Sequence, residues 1–352
     1  QLCWYMWERY GDRRILEENY EGVTKYVEFL RSRATDNILR YSYYGDWVPV
    51  EHTPGEYVSA AYYYYDVQIL QQIARVLGKS ADAQTYAQLG SQIKDAFHRA
   101  FFNPATRSYA NGTQTANAMA LDLDLVPKDQ RRAVDGSLTN DVTYTHNTHV
   151  TTGFIGVKHL MSALTQIGRA ELAYELATQT TYPSWGYMIS RGATTLWELW
   201  QEKTGPSMNS HNHPMFGSVG AWFYQALGGI NLEPDSVGYR KIRFDPQVVR
   251  DLQSASATVD TLRGRVSSSW THSSGALDLD VSIPVGSTAH VVLSKDKEMT
   301  DVTVHEGGRV VWEKGHFVPG DEGVQGASQG KEHGDIIFEV GSGRYSFRLE
   351  GQ

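Results

Sequence analysis

The stretch Gly192-Ala193-Thr194-Thr195-Leu196-Trp197-Glu198-Leu199-Trp200 sets one carboxylate, Glu198, between two indoles. Just upstream runs Tyr182-Pro183-Ser184-Trp185-Gly186-Tyr187, and just downstream Met208-Asn209-Ser210-His211-Asn212-His213. Aromatics, hydroxyls, amides and imidazoles crowd around a single acid. Taken alone, Glu198 reads equally well as a surface helix residue between two core tryptophans. The flanking segments favour a polyhydroxylated ligand, because apolar faces of sugar rings stack on aromatic side chains and sugar hydroxyls bond to Asn, His and Asp.

Outward from this stretch the chain alternates between helices and loops. Residues 2–10 read as the end of a helix, and Gly11-Asp12 as a turn in which Asp12 caps the next one. That next helix carries Leu16, Tyr20, Val23, Val27 and Leu30 as one buried stripe. The loop Tyr41-Ser42-Tyr43-Tyr44-Gly45-Asp46-Trp47-Val48-Pro49 has no helical period and is rich in groups that stack on or bond to sugars. A long helix follows from Gly55 to about Leu77, with Tyr63, Val67, Leu70, Ala74 and Leu77 inward. Gly78-Lys79 ends it, Ser80 opens the next, and Asn103-Pro104 breaks that one after Phe101. Shorter helices are predicted near 113–123, 127–134, 151–164 and 169–179, with a last one over 216–227 stopped by Gly228-Gly229.

This reads as about ten helices in five antiparallel pairs, with connections alternating between short and long. A bundle needs short connections throughout. The alternation predicts a helical toroid whose long loops form the site at one end. A full toroid of this kind has six hairpins, and the chain opens mid-helix on Gln1 rather than on Met. The expectation is therefore an N-terminally truncated helical domain over residues 1–235.

From about Glu233 the texture changes. Runs at 241–244, 255–262, 264–271, 276–283, 288–293, 302–306, 309–313, 336–339 and 344–349 are strand-like, most of them alternating and turning at near-regular spacing, with turns at Ser273-Ser274-Gly275 and Pro284-Val285-Gly286. They predict an antiparallel β-sandwich over 236–352, with the glycine-rich stretch 315–330 as a loop. The fold class is thus mainly α followed by all-β.

Hydrophobic content of 41% and charged content of 20% suit a globular chain, and a net charge of -8 with no basic block argues against a nucleic-acid partner. No apolar run is long enough to span a membrane. The 21 tyrosines and 9 tryptophans fit carbohydrate handling. Cys3 is the single cysteine, so no intrachain disulfide and no cysteine metal site is possible. His146, His149 and His211 lie in loops without a matched carboxylate or a helical i, i+4 pair, so neither a metal nor a cofactor is expected. The absence of a G-x-S-x-G elbow disfavours a serine hydrolase.

The Gly192–Glu198 run resembles the GATT-x-WE motif of bacterial α-L-rhamnosidases, glycoside hydrolase family 78. Tyr10-Gly11-Asp12, Gly45-Asp46-Trp47, Thr151-Thr152-Gly153-Phe154, Tyr182-Pro183-Ser184-Trp185-Gly186, Asn209-Ser210 with Asn212-His213, and Gly217-Ser218-Val219 through Trp222 agree in the same order over nearly the whole chain. The resemblance implies an (α/α)6 barrel followed by a C-terminal β-sandwich, and an inverting hydrolase releasing terminal L-rhamnose from an oligosaccharide or glycoside. It places the general base on Glu198 and substrate contacts on Trp47 and His213. The family's general acid lies in a segment with no counterpart here. The acid is therefore expected upstream of residue 1, and residues 1–352 alone are expected to lack turnover.

Asp46, in the same motif as Trp47, is expected to accept a sugar hydroxyl, and Trp185 to line the pocket as a substrate-binding residue. As a base, Glu198 must be ionised; indoles desolvate it, so a donor such as His213 or a Thr hydroxyl has to favour the charged form. Two other readings stay open: another barrel hydrolase acting on α-glucosides or uronides, and a carbohydrate-binding fragment without turnover.

Overall fold

Three helical hairpins make the frame that carries the loops, and the same turn closes each. The computed structural model describes residues 1–352 except 43, 208, 250–251, 274, 296–298, 321, 331–333 and 352; Tyr43, Met208 and Ser274, drawn into the segments above, lie outside the described residues. The helices are α1 (Leu2–Tyr10), α2 (Arg14–Arg33), α3 (Gly55–Val76), α4 (Ser80–Phe101), α5 (Gln114–Asp122), α6 (Lys128–Asn140), α7 (Phe154–Gln166), α8 (Ala170–Thr178), α9 (Trp185–Ser190) and α10 (Ser218–Trp222). α3 turns into α4 at Gly78, α5 into α6 after Asp124, and α7 into α8 at Gly168, each of these residues lying in the left-handed region. In each turn the following residue donates to a carbonyl five positions back: Lys79 to Ala74, Leu125 to Ala120 and Arg169 to Leu164, all at 2.8 Å. These bonds satisfy carbonyls that a helix end leaves open.

The apolar stripes point inward in part: Tyr20, Val23 and Leu30 of α2, and Leu77 just after α3, are only half-buried. Leu16 and Val27 of α2 are buried, as are Tyr63, Val67, Leu70 and Ala74 of α3, while Tyr62 and Tyr65 are half-buried. Every residue from Gln114 to Leu121 of α5 is buried, and its last residue, Asp122, is half-buried, so this helix lies almost wholly inside. Its N-cap is Thr113, whose hydroxyl accepts from the Ala116 N–H and pairs with the Thr53 hydroxyl at 2.6 Å. Between the hairpins run the long connections 34–54, 102–113, 141–153, 179–184 and 191–214, and these carry the site.

The expected single helix over 216–227 is broken into a 3-10 turn (Met215–Gly217), α10, and a π turn (Phe223–Leu227). Gly217 and Gly220 within it weaken any preference for a continuous α-helix. Helix α6 runs past the expected 134 to Asn140 and then into a π turn, Asp141–Thr145.

The chain forms two compact units, Gln1 with Arg14–Gly220, and Leu2–Arg13 with Ala221–Gln352. In the second, α1 is tied to the strands' leading segment: the Gly238 N–H donates to the Glu8 carbonyl at 2.8 Å, and the Arg9 guanidinium donates to the Tyr239 hydroxyl at 2.8 Å. The strands form two sheets. One runs in the order His316–Phe317, Arg309–Glu313, Thr303–Glu306, Gly343–Glu350, Ala276–Ile283, Gly264–Ser273, Ser254–Thr261. The other runs Val324–Gln329, Ile336–Val340, Thr288–Leu293, Lys241–Phe244, Ile230–Leu232. All pairings are antiparallel except Lys241–Phe244 beside Thr288–Leu293. Trp270, Phe244, Phe338, Phe347 and Leu279 fill the interior between them.

The stretch 315–330 is not the loop its glycines suggest. Val324–Gln329 pairs antiparallel with Ile336–Val340, in register Ala327 with Phe338. It is an edge strand, and edge strands need only one paired side and few apolar residues, so alternation there is faint. Among the described residues no helix is long and apolar enough to cross a membrane.

Candidate active site

Glu198 lies in an irregular segment, not a helix, and backbone pairing sets its direction. Its N–H donates to the Ser210 carbonyl and the His213 N–H donates to the Leu196 carbonyl, both at 2.9 Å. The Thr195 hydroxyl donates to the His211 carbonyl. Residues 195–198 are thereby fastened to 210–213, and Asn209 comes alongside the carboxylate. Two donors converge on Glu198 Oε1: Asn209 Nδ2 at 3.1 Å and Trp47 Nε1 at 3.1 Å. Among the described residues nothing bonds to Oε2, so that oxygen can accept from a water or hydroxyl. The donors anticipated for this role were His213 or a threonine; the backbone pairing instead turns Asn209 toward the acid and sets His213 opposite Leu196.

Among the described residues, neither of the two indoles that flank Glu198 in sequence is hydrogen-bonded to its carboxylate. Trp200 is buried, donates through Nε1 to the Thr152 carbonyl at 2.8 Å and stacks on Phe216 at 3.9 Å. Trp197 is buried against His211. The indole that meets the acid is Trp47, from a loop 151 residues earlier, 37% exposed and edge-on to Tyr44 at 5.2 Å.

Asp46, beside Trp47, is only 4% exposed. Its Oδ2 accepts from the Thr115 hydroxyl at 2.6 Å and the Gly153 N–H at 2.8 Å; its Oδ1 accepts from the Ile155 N–H at 3.0 Å and the Gly156 N–H at 3.1 Å. The Trp47 carbonyl accepts from the Phe154 N–H at 3.1 Å. The first turn of α7 is thus capped by two consecutive residues of a distant loop. Each oxygen of Asp46 already accepts two bonds, which leaves no acceptor facing a sugar hydroxyl. The structure replaces the anticipated hydroxyl contact with an anchoring one.

Trp185 is 7% exposed, donates through Nε1 to the Phe216 carbonyl at 3.1 Å and packs edge-on to Trp200 at 5.1 Å. Packed in this way, its ring has little face left for a substrate. His213 is half-buried and lies flat on Phe154, centroids 4.7 Å apart; its Nδ1 is buried without a hydrogen-bond partner among the described residues. One aromatic column, Trp185, Trp200, Phe216, Phe154 and His213, therefore joins Trp185 to the residue beside Asp46's glycine contacts.

The residues missed by sequence are Asn209 as a Glu198 partner and Thr115, Gly153 and Gly156 around Asp46. Asn209 and Gly153 lie in motif segments singled out above, but a motif does not say which member faces which acid; Thr115 and Gly156 lie in none of them.

One group among the described residues has metal-ligand types within reach of each other: Glu51, Asp141 and His146, with ligand atoms within 4.8 Å. Here the expectation that the histidine loops lack a carboxylate fails. His146 Nδ1 lies 3.1 Å from Asp141 and Nε2 3.3 Å from Glu51. The π turn brings Asp141 back on His146, and Glu51 arrives from the loop after Trp47. Each ring nitrogen thereby lies within ion-pair distance of a carboxylate. A metal would have to displace one of these contacts. Burial pushes the Asp141 carboxyl above the usual aspartate range, against the pull of His146. His149 and His211 are held by Thr181 and the Lys203 carbonyl.

Residues 1–227 match the profile of the bacterial alpha-L-rhamnosidase 6 hairpin glycosidase domain, and residues 229–308 that of the bacterial alpha-L-rhamnosidase C-terminal domain. An alpha-L-rhamnosidase of Streptomyces avermitilis is 35% identical over 355 residues, covering 98% of this chain and 32% of that protein. One of Formosa agariphila is 33% identical over 309 residues, covering 84% of this chain and 33% of that protein. Among solved structures, the alpha-L-rhamnosidase from Dictyoglumus thermophilum superposes with a TM-score of 0.90 at 38% identity, over 99% of this chain and 38% of that one. The Streptomyces avermitilis enzyme complexed with L-rhamnose superposes with 0.84 at 32% identity, over 98% of this chain and 32% of that one. The chain spans about a third of the length of the curated relatives it matches.

Proposed function

The chain belongs to the bacterial α-L-rhamnosidase family, and from that premise we propose that it forms the base-bearing part of an enzyme that hydrolyses terminal α-L-rhamnosides with inversion. The observation that carries this reading is the clamp on Glu198: Trp47 and Asn209 hold Oε1 and leave Oε2 free to accept. A carboxylate held this way can take a proton from a water positioned on one face of a sugar ring. Inverting hydrolysis needs that base together with a separate acid on the leaving oxygen. Asp46 is not that acid, because its oxygens are occupied as a helix cap. In this reading Trp47 offers its exposed ring to the sugar, and the half-buried His213 is a further substrate contact. Trp185 and Trp200 hold the wall behind them, and the reaction calls for no cofactor. The relative solved with L-rhamnose supports the choice of sugar.

The test is Glu198→Gln in the full-length protein. Titration with L-rhamnose should show nearly unchanged affinity, while turnover of an aryl α-L-rhamnoside should fall roughly 10²–10⁴-fold, the range expected for loss of a general base. NMR of the wild-type reaction should show the β-anomer of rhamnose as the first product. Near-normal turnover in the variant would remove Glu198 from the role, and an initial α-anomer would replace inversion by retention.

A further inference from the structure

We propose that Asp46 is a positioning residue for the base: by capping α7 it fixes the loop that aims the Trp47 indole at Glu198. The proposal rests on the role given to Glu198 above. Trp47 makes a directed hydrogen bond although its ring is 37% exposed. A ring so open to solvent is not held by burial, and its edge contact with Tyr44 involves a residue more exposed than itself. Its direction has to come from the backbone that carries it.

That backbone is fastened by the residue before and by its own carbonyl. Asp46 engages the N–H groups of Gly153, Ile155 and Gly156, and the Trp47 carbonyl takes that of Phe154. Four successive donors at the start of α7 are thus shared between two adjacent loop residues. A buried carboxylate is costly unless its hydrogen bonds are complete, and the helix N-terminus supplies both the donors and favourable charge. Thr115 adds a fourth donor from α5, so the loop is indexed against two helices at once.

The glycines of this contact confirm how closely the loop must approach. A Cβ on Gly153 would stand 2.1 Å from the Trp47 carbonyl oxygen and 2.7 Å from Asp46 Oδ1; one on Gly156 would stand 2.9 Å from Asp46 Oδ2. Neither helix position has room for a side chain while the loop is seated. Asp46 never meets the sugar. It sets where Trp47 stands, and Trp47 sets which oxygen of Glu198 is left free.

The experiment uses full-length protein labelled with 15N-tryptophan, the Trp47 indole N–H resonance being assigned by its loss in Trp47→Phe. Asp46→Asn turns an amide toward the α7 N–H groups and should move that resonance. It should also lower kcat on an aryl α-L-rhamnoside about 10–100-fold, the scale of a misplacement of about 1 Å. Because Asp46 acts through Trp47, the double variant Asp46→Asn/Trp47→Phe should lose no more kcat than the worse single variant, as coupled residues do. An unmoved indole resonance in folded Asp46→Asn, or losses that multiply in the double variant, would overturn the proposal. If Asp46→Asn does not fold, Thr115→Val, which removes one of the four donors, is read in the same two ways. If the wild type turns over no rhamnoside, the activity reading falls, and the indole arm decides the positioning claim by itself.

Discussion

At the loop end of the helical unit the buried side chains include Asp46, Thr53, Thr113, Gln114, Thr115, Asn117, Thr151 and Thr152; in the sandwich they are chiefly Trp270, Phe244, Phe338, Phe347, Leu279 and Val291. The polar set ties one loop to another. Thr53 meets Thr113, and Gln114 bonds to both the His149 carbonyl and the Thr151 N–H. Asp46 meets Thr115 and the start of α7. In the sandwich set Trp270 donates to the Leu227 carbonyl at 2.7 Å, while the others meet through apolar contact, where volume-conserving swaps are tolerated best. Hydrogen bonds fix angles and distances, whereas apolar contact fixes mainly volume. A unit that aims a carboxylate needs the first kind; a unit whose described residues gather no comparable clamp can rely on the second.

The largest effect that tests this contrast is expected in the sandwich. Trp270→Ala removes a fully buried indole and the donor on the Leu227 carbonyl. Such truncations cost about 3–5 kcal/mol. Calorimetry should show a large drop in the unfolding temperature of the variant, while kcat, measured where it remains folded, should stay at the wild-type value. A fall in kcat without unfolding would break the division between the two units.

A middle-sized effect with the opposite signature is expected from Gly153→Ala. Overpacking of this kind costs about 1–3 kcal/mol, and the new methyl collides with the Trp47 carbonyl. Denaturant titration should register the smaller stability loss, and turnover should fall along with it. A variant that loses stability and keeps full kcat would show that the seat of the Trp47 loop has slack.

The smallest effect concerns pH. Burial raises the Asp141 carboxyl above its ordinary range, so the folded state holds this proton more tightly than the unfolded chain does. Between the ordinary and the raised value the folded state binds more protons, and stability therefore falls as pH rises through that window. Asp141→Asn removes the titration and should flatten that part of the curve of melting temperature against pH. An unchanged slope in the variant would assign the dependence to other groups.

Much of the frame is readable along the chain. The stripe through Tyr63, Val67, Leu70 and Ala74, the stop at Gly78, and the alternation within Ala276–Ile283 each report a local relation between near neighbours in the chain. Glu198 is legible too, because its motif lies in one continuous run. The strand Val324–Gln329 is harder to read, since an edge strand of Gly, Ser and Gln owes its conformation to pairing with Ile336–Val340 rather than to its own pattern.

Only the tertiary structure decides which groups meet the acid. From the sequence, Trp197 and Trp200 are the indoles beside Glu198, yet both turn into the core and the indole that bonds to it is Trp47. Asp46 and Trp47 are consecutive, yet one is buried under α7 and the other stands at the base. His146 finds its second carboxylate in Glu51, from another loop. Periodicity records which face of an element is buried. It carries no record of which loops the hairpins bring together, and a hydrogen bond of about 3 Å depends on that assembly.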